Sequence, residues 1–268
     1  MDYAKAVHSL RPIKRLGQNF LMNRDIAKAE ANFGIGRNVL EIGPGLGVLT
    51  TELCKQAESV LAVEKDQRLY SMLKSELRSR KLRLINADFF ELPEGELEGR
   101  QIMISNIPYS MSSKTIGWLS AHHMPAVLCL QREFIRHMVA KPGGRDYSRL
   151  SVTASISFAV TLIMDVGAGN FYPVPRVDSG IVYLRPAAAA LDRDLLDLIT
   201  LVMNHKKKRV RNAIVDSWKA LGLDRASSAR LALDAPYSDE RPFQLQPKQI
   251  LEIASYLKSE LPRQAQAH

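Results

Sequence analysis

Residues 39–56 read VLEIGPGLGVLTTELCKQ, and this stretch decides the fold. It begins with an apolar run that predicts a buried strand and ends with a segment that predicts a helix. Between them, the loop GPGLG at 43–47 places a glycine at every second position. Glycine tolerates positive φ and lets a ligand approach the backbone closely, so Gly43 and Gly45 are candidate ligand contacts. The spacing differs from the Gly-x-Gly-x-x-Gly of dinucleotide-binding turns.

Strand and helix patterns alternate along the chain on both sides of this stretch. Further strands are predicted at residues 59–63, 82–85, 102–104 and 126–130, and further helices at 25–31, 67–80 and 115–120. Asn23 is a candidate N-cap for the helix at 25–31. The alternation predicts an α/β fold with a mostly parallel, doubly wound sheet.

The second half of the chain changes character twice. Residues 151–164 are apolar and rich in β-branched side chains, so they are predicted to form one long strand. Together with residues 180–184 they would form an antiparallel addition at one edge of the sheet. Beyond residue 186 the pattern is helical, at 191–203, 210–221, 227–233 and 247–257. We therefore predict a sheet domain at residues 1–186 and a small all-helical domain at residues 187–268.

Composition favours a polyanionic partner. The chain has 268 residues, 46% of them hydrophobic, and a net charge of +9 with a pI of about 9.6. Such an excess attracts polyanions, although part of it can be ordinary solvated surface. Cys54 and Cys129 show no spacing motif and are expected to be buried free thiols in a reducing compartment. The histidines show no metal-ligand spacing, and no apolar run is long enough for a membrane span, so we expect a soluble, cytoplasmic protein without a metal site.

Two carboxylates follow the second and third predicted strands. Glu64 ends the second strand about 20 residues beyond the glycine loop, where a carboxylate can accept both hydroxyls of a ribose. Asp88 follows the third strand and can accept a hydrogen bond from the exocyclic amine of an adenine. Each has an ordinary alternative, a surface glutamate and a helix cap respectively. Taken with the glycine loop, they predict an adenosine-binding site at the carboxyl ends of adjacent strands.

The segment Asn106-Ile107-Pro108-Tyr109 follows the strand at 102–104. The Asn106 oxygen and a neighbouring backbone carbonyl can accept two N–H bonds from a planar amine, and Pro108 stiffens the turn because it lacks an N–H. Tyr109 offers a flat face for stacking. Two acceptors out of the ring plane would localise the lone pair of an aromatic amine for attack. By itself, the segment is also an ordinary turn.

Two later segments extend this site. Phe171 begins the loop FYPVPRVDS at 171–179, where it is either a second stacking face for a purine or a core aromatic. The run HKKKRVRN at 205–212 is the densest basic stretch and is predicted at the start of a helix. We expect its cations to contact phosphates, with a solvated surface as the alternative. The candidate contacts are Lys206, Lys207, Lys208, Arg209 and Arg211.

Together these segments resemble the KsgA family of rRNA adenine N6,N6-dimethyltransferases, to whose wider family the Erm-type enzymes belong. The resemblance runs from about residue 11 to residue 257, with the segments in the family's order. It is carried by GQNFL at 17–21, EIGPGLG at 41–47, VEKD at 63–66, NIPY at 106–109, LQRE at 130–133, YSRLSV at 147–152 and FYPVPRVDS at 171–179. Ile107 stands where the family usually has leucine. Phe89 stands where it often has alanine and is expected to alter the packing around the adenine.

The resemblance implies a Rossmann-like class I methyltransferase sheet with a small C-terminal helical domain that binds rRNA. It implies S-adenosylmethionine as methyl donor. The donor would be bound by Asn19, Leu21, Gly43, Glu64, Asp88 and Asn106, together with Gly45 of the glycine loop. Catalysis would rest on Asn106, Ile107, Pro108, Tyr109 and Phe171. Two methyl groups would go to N6 of each of two adjacent adenines in a hairpin near the 3′ end of small-subunit rRNA. The partner would be an immature ribosomal subunit, met by a monomeric enzyme during ribosome biogenesis.

Four alternatives stay open on the sequence. A nicotinamide-dependent oxidoreductase would share the sheet and Glu64, but not the glycine spacing or the NIPY segment. A DNA adenine methyltransferase would share the NIPY segment, but not GQNFL or the helical tail. An Erm-type large-subunit rRNA methyltransferase and a mainly non-enzymatic ribosome-assembly factor would share the same fold.

Overall fold

The computed structural model describes residues 12–13, 17–187 and 191–265. Their contacts divide the chain into two compact units, neither of which is one continuous stretch. The first unit comprises the residues up to Thr115 with Met124–Arg132 and Thr161–Arg185. The second comprises Ile116–His123, Glu133–Val160 and the residues from Pro186 onward. The predicted division of the chain into functional domains at residue 187 stays a prediction.

The predicted alternation of strands and helices is confirmed. In chain order the elements up to residue 131 are β1 (Phe20–Leu21), α1 (Arg24–Ala31), β2 (Asn38–Ile42), α2 (Val48–Gln56), β3 (Ser59–Glu64), α3 (Gln67–Glu76), β4 (Leu82–Asn86), β5 (Ile102–Ser105), α4 (Ser112–His122) and β6 (Ala126–Gln131). They are followed by α5 (Arg132–Met138), α6 (Arg149–Ser157), β7 (Phe158–Val166), β8 (Phe171–Tyr172), β9 (Ser179–Pro186), α7 (Arg193–Asn204), α8 (Val210–Asp216), α9 (Arg225–Leu233) and α10 (Pro247–Ala265). Asn23 caps α1 as predicted, because its Oδ1 accepts the backbone N–H of Asp25 at 2.9 Å.

Seven strands form one sheet in the order β4-β3-β2-β5-β6-β9-β7. The pairs β2–β3, β3–β4, β2–β5 and β5–β6 are parallel, as predicted. Strand β5 is buried throughout and β2 and β3 almost throughout, as expected of parallel strands covered on both faces. The chain runs outward from β2 to β4 and then returns to β5, so the order of the strands reverses between β2 and β5. Ligands of open α/β sheets bind at such a switch point, and the loops after β2 and β5 carry Gly43 and Asn106.

The antiparallel addition at one edge of the sheet is confirmed for residues 180–184. These residues lie in β9, which pairs antiparallel with β6, with Ala126 opposite Leu184. A separate two-stranded sheet joins β1 to β8, with Leu21 opposite Phe171. The loop predicted at 171–179 therefore begins as a short strand that ties Phe171 to the entry segment.

The long strand predicted at residues 151–164 is wrong in its first half. Residues Arg149–Ser157 form helix α6, and only Phe158–Val166 form a strand. The Ser148 N–H donates to Ser151 Oγ at 3.0 Å, which satisfies a donor at the start of the helix. The helix buries Val152 and Ala154. Capping and burial outweigh the β-branched composition, because propensity is a weak determinant beside tertiary packing.

The helices of the second unit surround a hydrophobic core of their own. Side chains of α7, α8, α9 and α10 pack there with Tyr147 and Val152. Tyr147 is fully buried, and its Oη donates to the Leu245 carbonyl at 2.8 Å. The helix predicted at 210–221 ends at Asp216, and the chain continues in turns to Gly222 at φ +69°.

Two predictions from composition can be compared with the structure. Both cysteines are free thiols, as predicted. Cys129 is buried as expected, but the prediction that Cys54 is buried is wrong, because its side chain is half-buried. Of the helices in the described ranges, none has both the length and the apolar character that crossing a bilayer requires.

Candidate active site

A cavity of about 280 Å³ opens in the first unit where the parallel strands end. Its wall contains residues from the entry segment and from the loops after β2, β3, β4 and β5. The predicted donor-binding residues that the fold brings together here are Asn19, Gly43, Gly45, Glu64, Asp88 and Asn106. Leu21 is buried and lines an adjoining cavity of about 30 Å³ instead. Among the predicted residues that share this wall, Asn19 and Asn106 are 87 positions apart in sequence.

The glycine loop is fixed by its own backbone and by its neighbours. Gly43 and Gly45 have φ of +63° and +58°, where a residue with a Cβ atom would be strained. A Cβ atom on Gly45 would lie 2.9 Å from the Phe20 ring, so this position has no room for a side chain. The Gly45 N–H donates to Glu64 Oε2 at 3.1 Å, which connects the loop to the end of β3.

Glu64 is buried at the end of β3, and both of its oxygens accept backbone hydrogen bonds. Oε1 accepts from the Asp66 N–H at 2.8 Å, and Oε2 from the Gly45 N–H. Burial raises the pKa of Glu64 to about 7, and the two backbone bonds oppose this rise. Each carboxylate oxygen has a further lone pair, so the group can still accept hydroxyl donors.

Asp88 caps the 3₁₀ turn Phe89–Glu91 and also faces the cavity. Its Oδ1 accepts from the Phe90 N–H at 3.0 Å, so the capping alternative is part of its structure. Its Oδ2 accepts from Lys65 Nζ at 2.7 Å, and this bond holds the pKa of Asp88 below its usual value. Phe89 is buried and meets Phe90 edge-on, with ring centroids 5.1 Å apart. Both rings line the cavity, which gives it an aromatic wall beside the carboxylate.

Asn106 lies where several cavities meet. It lines the 280 Å³ cavity and also a small cavity of about 10 Å³ beside Tyr109 and Phe171. Its Nδ2 donates to Glu30 Oε2 at 3.0 Å. Its Oδ1 is buried and has no hydrogen-bond partner among the described residues. A buried acceptor without a partner costs about 1–3 kcal/mol, so this oxygen is matched to a donor that the protein itself does not supply.

The two predicted stacking residues lie on the small cavity. Tyr109 is half-buried, and its Oη is 2.7 Å from Ser179 Oγ. Burial raises the pKa of Tyr109, so the phenol stays protonated near neutral pH. Phe171 is only 4% exposed. A cavity of about 10 Å³ holds about one water molecule, so a purine enters only if these side chains separate.

The basic run lies in the second unit, mainly in the turn between α7 and α8. Only its last residues belong to α8, which begins at Val210, so the predicted helix start applies only to the end of the run. Lys206 donates to the carbonyl of Tyr147. The ion pairs of the run join Lys208 to Asp216 at 2.5 Å, Arg209 to Asp239 at 2.8 Å and Arg211 to Asp239 at 2.6 Å. Exposed pairs of this kind contribute at most about 1 kcal/mol, so a phosphate can displace the carboxylates.

Sequence reasoning missed several residues that shape the site. Glu30 accepts a hydrogen bond from Asn106, and Ser179 forms one with Tyr109. Gln18 Nε2 donates to Asp66 Oδ2 at 3.0 Å. Glu30 carried a signal, because it follows Ile26 by four positions and so lies on the buried face of α1. A charged residue on that face requires a partner.

The model of the ribosomal RNA adenine dimethylase family matches residues 10–257 of this sequence. The chain belongs to that family. It is 40% identical to the probable ribosomal RNA small subunit methyltransferase A of Thermococcus kodakarensis, over 94% of this chain and 92% of the relative. It is 37% identical to the protein of the same name from Thermococcus sibiricus, over 94% of both.

Two solved structures support the same assignment to the ribosomal RNA adenine dimethylase family. A dimethyladenosine transferase from Plasmodium falciparum is 25% identical with a TM-score of 0.70, over 92% of this chain and 98% of that one. The 23S rRNA methyltransferase ErmE is 26% identical with a TM-score of 0.57, over 89% of this chain and 99% of that one. The predicted Rossmann-like methyltransferase fold is confirmed, and the protein is an rRNA methyltransferase that uses S-adenosylmethionine.

The residues of the 280 Å³ cavity fit this cofactor. Glu64 offers acceptors to ribose hydroxyls, and Asp88 with Phe89 offers an acceptor and an aromatic surface to an adenine. Gly43 and Gly45 have backbone conformations in which a Cβ atom would be strained, and because they lack one, a ligand can approach the loop backbone closely. Asn106, whose Oδ1 has no partner in the ranges that the structure describes, lies on the wall of the same cavity.

Proposed function

We propose that the protein transfers two methyl groups to N6 of each of two adjacent adenines in the hairpin near the 3′ end of small-subunit rRNA. The observation that carries the proposal is the Oδ1 of Asn106, which is buried and has no hydrogen-bond partner within the described part of the chain. Asn106 lines both the donor cavity and the small cavity. An acceptor in that position suits the N–H of a planar amine. Membership of an adenine dimethylase family supports adenine as the bearer of that amine.

Asn106 Oδ1 and the Ile107 carbonyl would accept the two N–H bonds of the adenine amine. We assign the second bond to Ile107 because the Pro108 carbonyl already accepts the Met111 N–H at 2.8 Å. Pro108 has no N–H to compete for these acceptors. If both acceptors lie out of the plane of the adenine ring, these two hydrogen bonds localise the lone pair on N6, which can then attack the methyl group of the donor. No general base is required, since the amine loses its proton as or after the new C–N bond forms.

The target adenine must leave its stack, because N6 cannot be reached within a helix. Tyr109 and Phe171 would hold the extruded ring, each contact contributing about 1–3 kcal/mol. The rate then comes mainly from proximity and orientation. A second transfer to the same nitrogen requires a site that accepts a methyl group where the first substrate had a hydrogen.

S-adenosylmethionine supplies an electrophilic methyl group when it is bound. Glu64 would bind the ribose hydroxyls and Asp88 the adenine amine, while Gly43 and Gly45 let the backbone approach closely. Asn19 and Leu21 are assigned to donor binding by the family resemblance. Leu21, which lines the adjoining cavity, would act by packing beneath the site.

Small-subunit rRNA is supported by the names of the relatives that match the chain over nearly its whole length. We assign donor binding and catalysis to residues 1–186 and rRNA binding to residues 187–268. The basic run would contact phosphates through Lys206, Lys207, Lys208, Arg209 and Arg211. The partner would be an immature small subunit, and the enzyme would act as a monomer.

The decisive experiment is methyl transfer from labelled S-adenosylmethionine onto undermethylated small subunits, with the modified nucleosides identified. We expect N6,N6-dimethyladenosine at two adjacent positions of the small-subunit rRNA. Large subunits and DNA are tested in parallel. Label in the large subunit would favour an Erm-type specificity, and binding of small subunits without transfer would favour an assembly factor.

Asn106→Ala tests the assigned role of the side chain. We expect methyl transfer to fall by about 100-fold or more, because an oriented hydrogen bond to the reacting group is lost. Donor and RNA dissociation constants should change little. The control is Asn32→Ala, an exposed asparagine just after α1. Normal turnover by Asn106→Ala would contradict the role.

A further inference from the structure

We propose that Glu30 is a positioning residue for methyl transfer, whose carboxylate orients the Asn106 amide so that Oδ1 is presented to the target amine. This inference rests on the proposed function and assigns a role to a residue outside the cavity wall. Glu30 lies in α1 and Asn106 follows β5, so two distant parts of the chain meet in one hydrogen bond.

The contact joins a buried carboxyl group to a half-buried amide. Asn106 Nδ2 donates to Glu30 Oε2 at 3.0 Å, and Glu30 is 1% exposed. Two atoms of the pair have no partner among the described residues, Glu30 Oε1 and Asn106 Oδ1. Oδ1 and Nδ2 are both bonded to Cγ in one plane, so the hydrogen bond of Nδ2 to Glu30 also fixes the direction in which Oδ1 points.

The ionisation of Glu30 decides how strictly the amide is oriented. A carboxylate can only accept hydrogen bonds, so it pairs with Nδ2 and excludes Oδ1 from its side. A protonated carboxyl also carries a donor, so it can pair with either end of the amide. If the amide turned over, Nδ2 would face the N–H donors of the target amine, and no hydrogen bond would form. The carboxylate form is therefore the competent one.

Glu30 ionises within the working range of pH. Burial raises its pKa to about 8, and the Asn106 hydrogen bond opposes this rise. Helix α2, which packs against α1, carries the titratable groups Glu52, Cys54 and Lys55. On the sheet, the Glu30 charge raises the pKa of Glu41 in β2 and of Cys129 in β6.

Two substitutions separate orientation from simple packing. Glu30→Gln keeps the size and a hydrogen bond but, like the protonated acid, pairs with either end of the amide. Glu30→Leu removes the polar partner. The control is Glu52→Gln. Glu52 is a buried carboxylate of α2 that pairs with Arg24 and Lys55. Single-turnover methyl transfer is measured for all four proteins between about pH 6 and pH 9.

We expect the wild-type rate to rise with pH as Glu30 ionises, and the rise to be absent in Glu30→Gln. Glu30→Leu should lose about 10-fold to 100-fold in rate at the upper end of the range, with RNA KM and donor affinity within twofold of wild type. Glu52→Gln should keep the wild-type profile. The inference is overturned if Glu30→Gln keeps the profile as well, or if Glu30→Leu loses donor affinity and rate together.

A measurement without turnover distinguishes failure of this inference from failure of the proposed function. The side-chain amide resonance of Asn106, assigned by its loss in Asn106→Ser, should shift with an apparent pKa near 8 in the wild type and stay constant in Glu30→Gln. A resonance insensitive to pH in the wild type refutes the role of Glu30 even if methyl transfer is observed. A shifting resonance in a protein that transfers no methyl group supports the orientation and refutes the proposed function.

Discussion

At the scale of single residues, the site is built over buried carboxyl groups. Burial raises the pKa of Glu30 and of Glu41 to about 8, and that of Glu64 to about 7. For Glu41 the charges of Glu30 and Glu64 add to the effect of burial, while Thr50 opposes it. The sequence pointed to Glu64 by its position after a strand. It gave no indication that Asn106 would meet Glu30.

These carboxyls make a prediction about stability. An acid whose pKa is higher in the folded state contributes most below its unfolded pKa of about 4.5, and that contribution is lost as pH rises through about 8. We therefore expect the free energy of unfolding, measured by urea titration, to fall from about pH 5 to pH 9. Glu30, Glu41 and Glu64 should each contribute to this fall, since the pKa of each is raised in the folded protein.

Glu41→Gln identifies the source of this dependence. The neutral amide cannot ionise, so the stability of the variant should fall less with pH than that of the wild type. Glu94→Gln, a change on an exposed turn, is the control and should keep the wild-type slope. A wild-type curve that is level or rises over this range would show that the buried acids are already ionised in the folded protein.

At the scale of elements, the turn between α7 and α8 carries the basic run. Asp239 forms ion pairs with both Arg209 and Arg211, so the two cations are held close together before RNA binds. The sequence showed the run but not Asp239, which lies 28 positions beyond Arg211 and approaches only in the folded second unit.

Replacing Lys207 and Arg209 with glutamine should weaken RNA binding and flatten its salt dependence. Each lost phosphate contact is expected to reduce the slope of log K against log salt by about 0.7–0.9. The control is the double replacement of Arg78 and Arg80, two exposed cations after α3, which changes net charge equally. Equal slopes for the two double variants would assign the run to ordinary surface.

Helix α6 forms although its sequence pattern is typical of a strand. Its composition favours a strand, since Val152, Thr153 and Ile156 are β-branched. The turn at Ser148 and the burial of Val152 favour a helix, and the helix forms. Hydroxyl and apolar residues also alternate over residues 151–158, which is the period of a strand, so the local pattern predicts the wrong element.

At the scale of the whole molecule, the two units are assembled from interleaved segments. The core of the second unit takes Tyr147 and Val152 from before residue 161 and its main helices from after residue 190. Residues 187–268 alone would thus lack part of the core around which their helices pack.

We expect residues 187–268, expressed alone, to show much less amide protection in α7 and α10 than the same helices in the full chain. In the full chain, Tyr147→Ala should destabilise the second unit by about 3–5 kcal/mol, as other large-to-small changes do. Tyr147→Phe, which loses only the bond to Leu245, should cost about 1 kcal/mol. Full protection in the isolated fragment would show that Tyr147 and Val152 are dispensable for the core.

The α/β alternation, the glycine loop and the residues at the ends of β2, β3, β4 and β5 follow from the amino-acid sequence alone. These features are encoded locally, because strand burial, positive φ and chain reversal each depend on a few neighbouring residues. The pairing of Asn106 with Glu30, the contact of Tyr109 with Ser179 and the helix at residues 149–157 are visible only in the folded chain. Those outcomes depend on burial and on partners far along the chain, which no local pattern records.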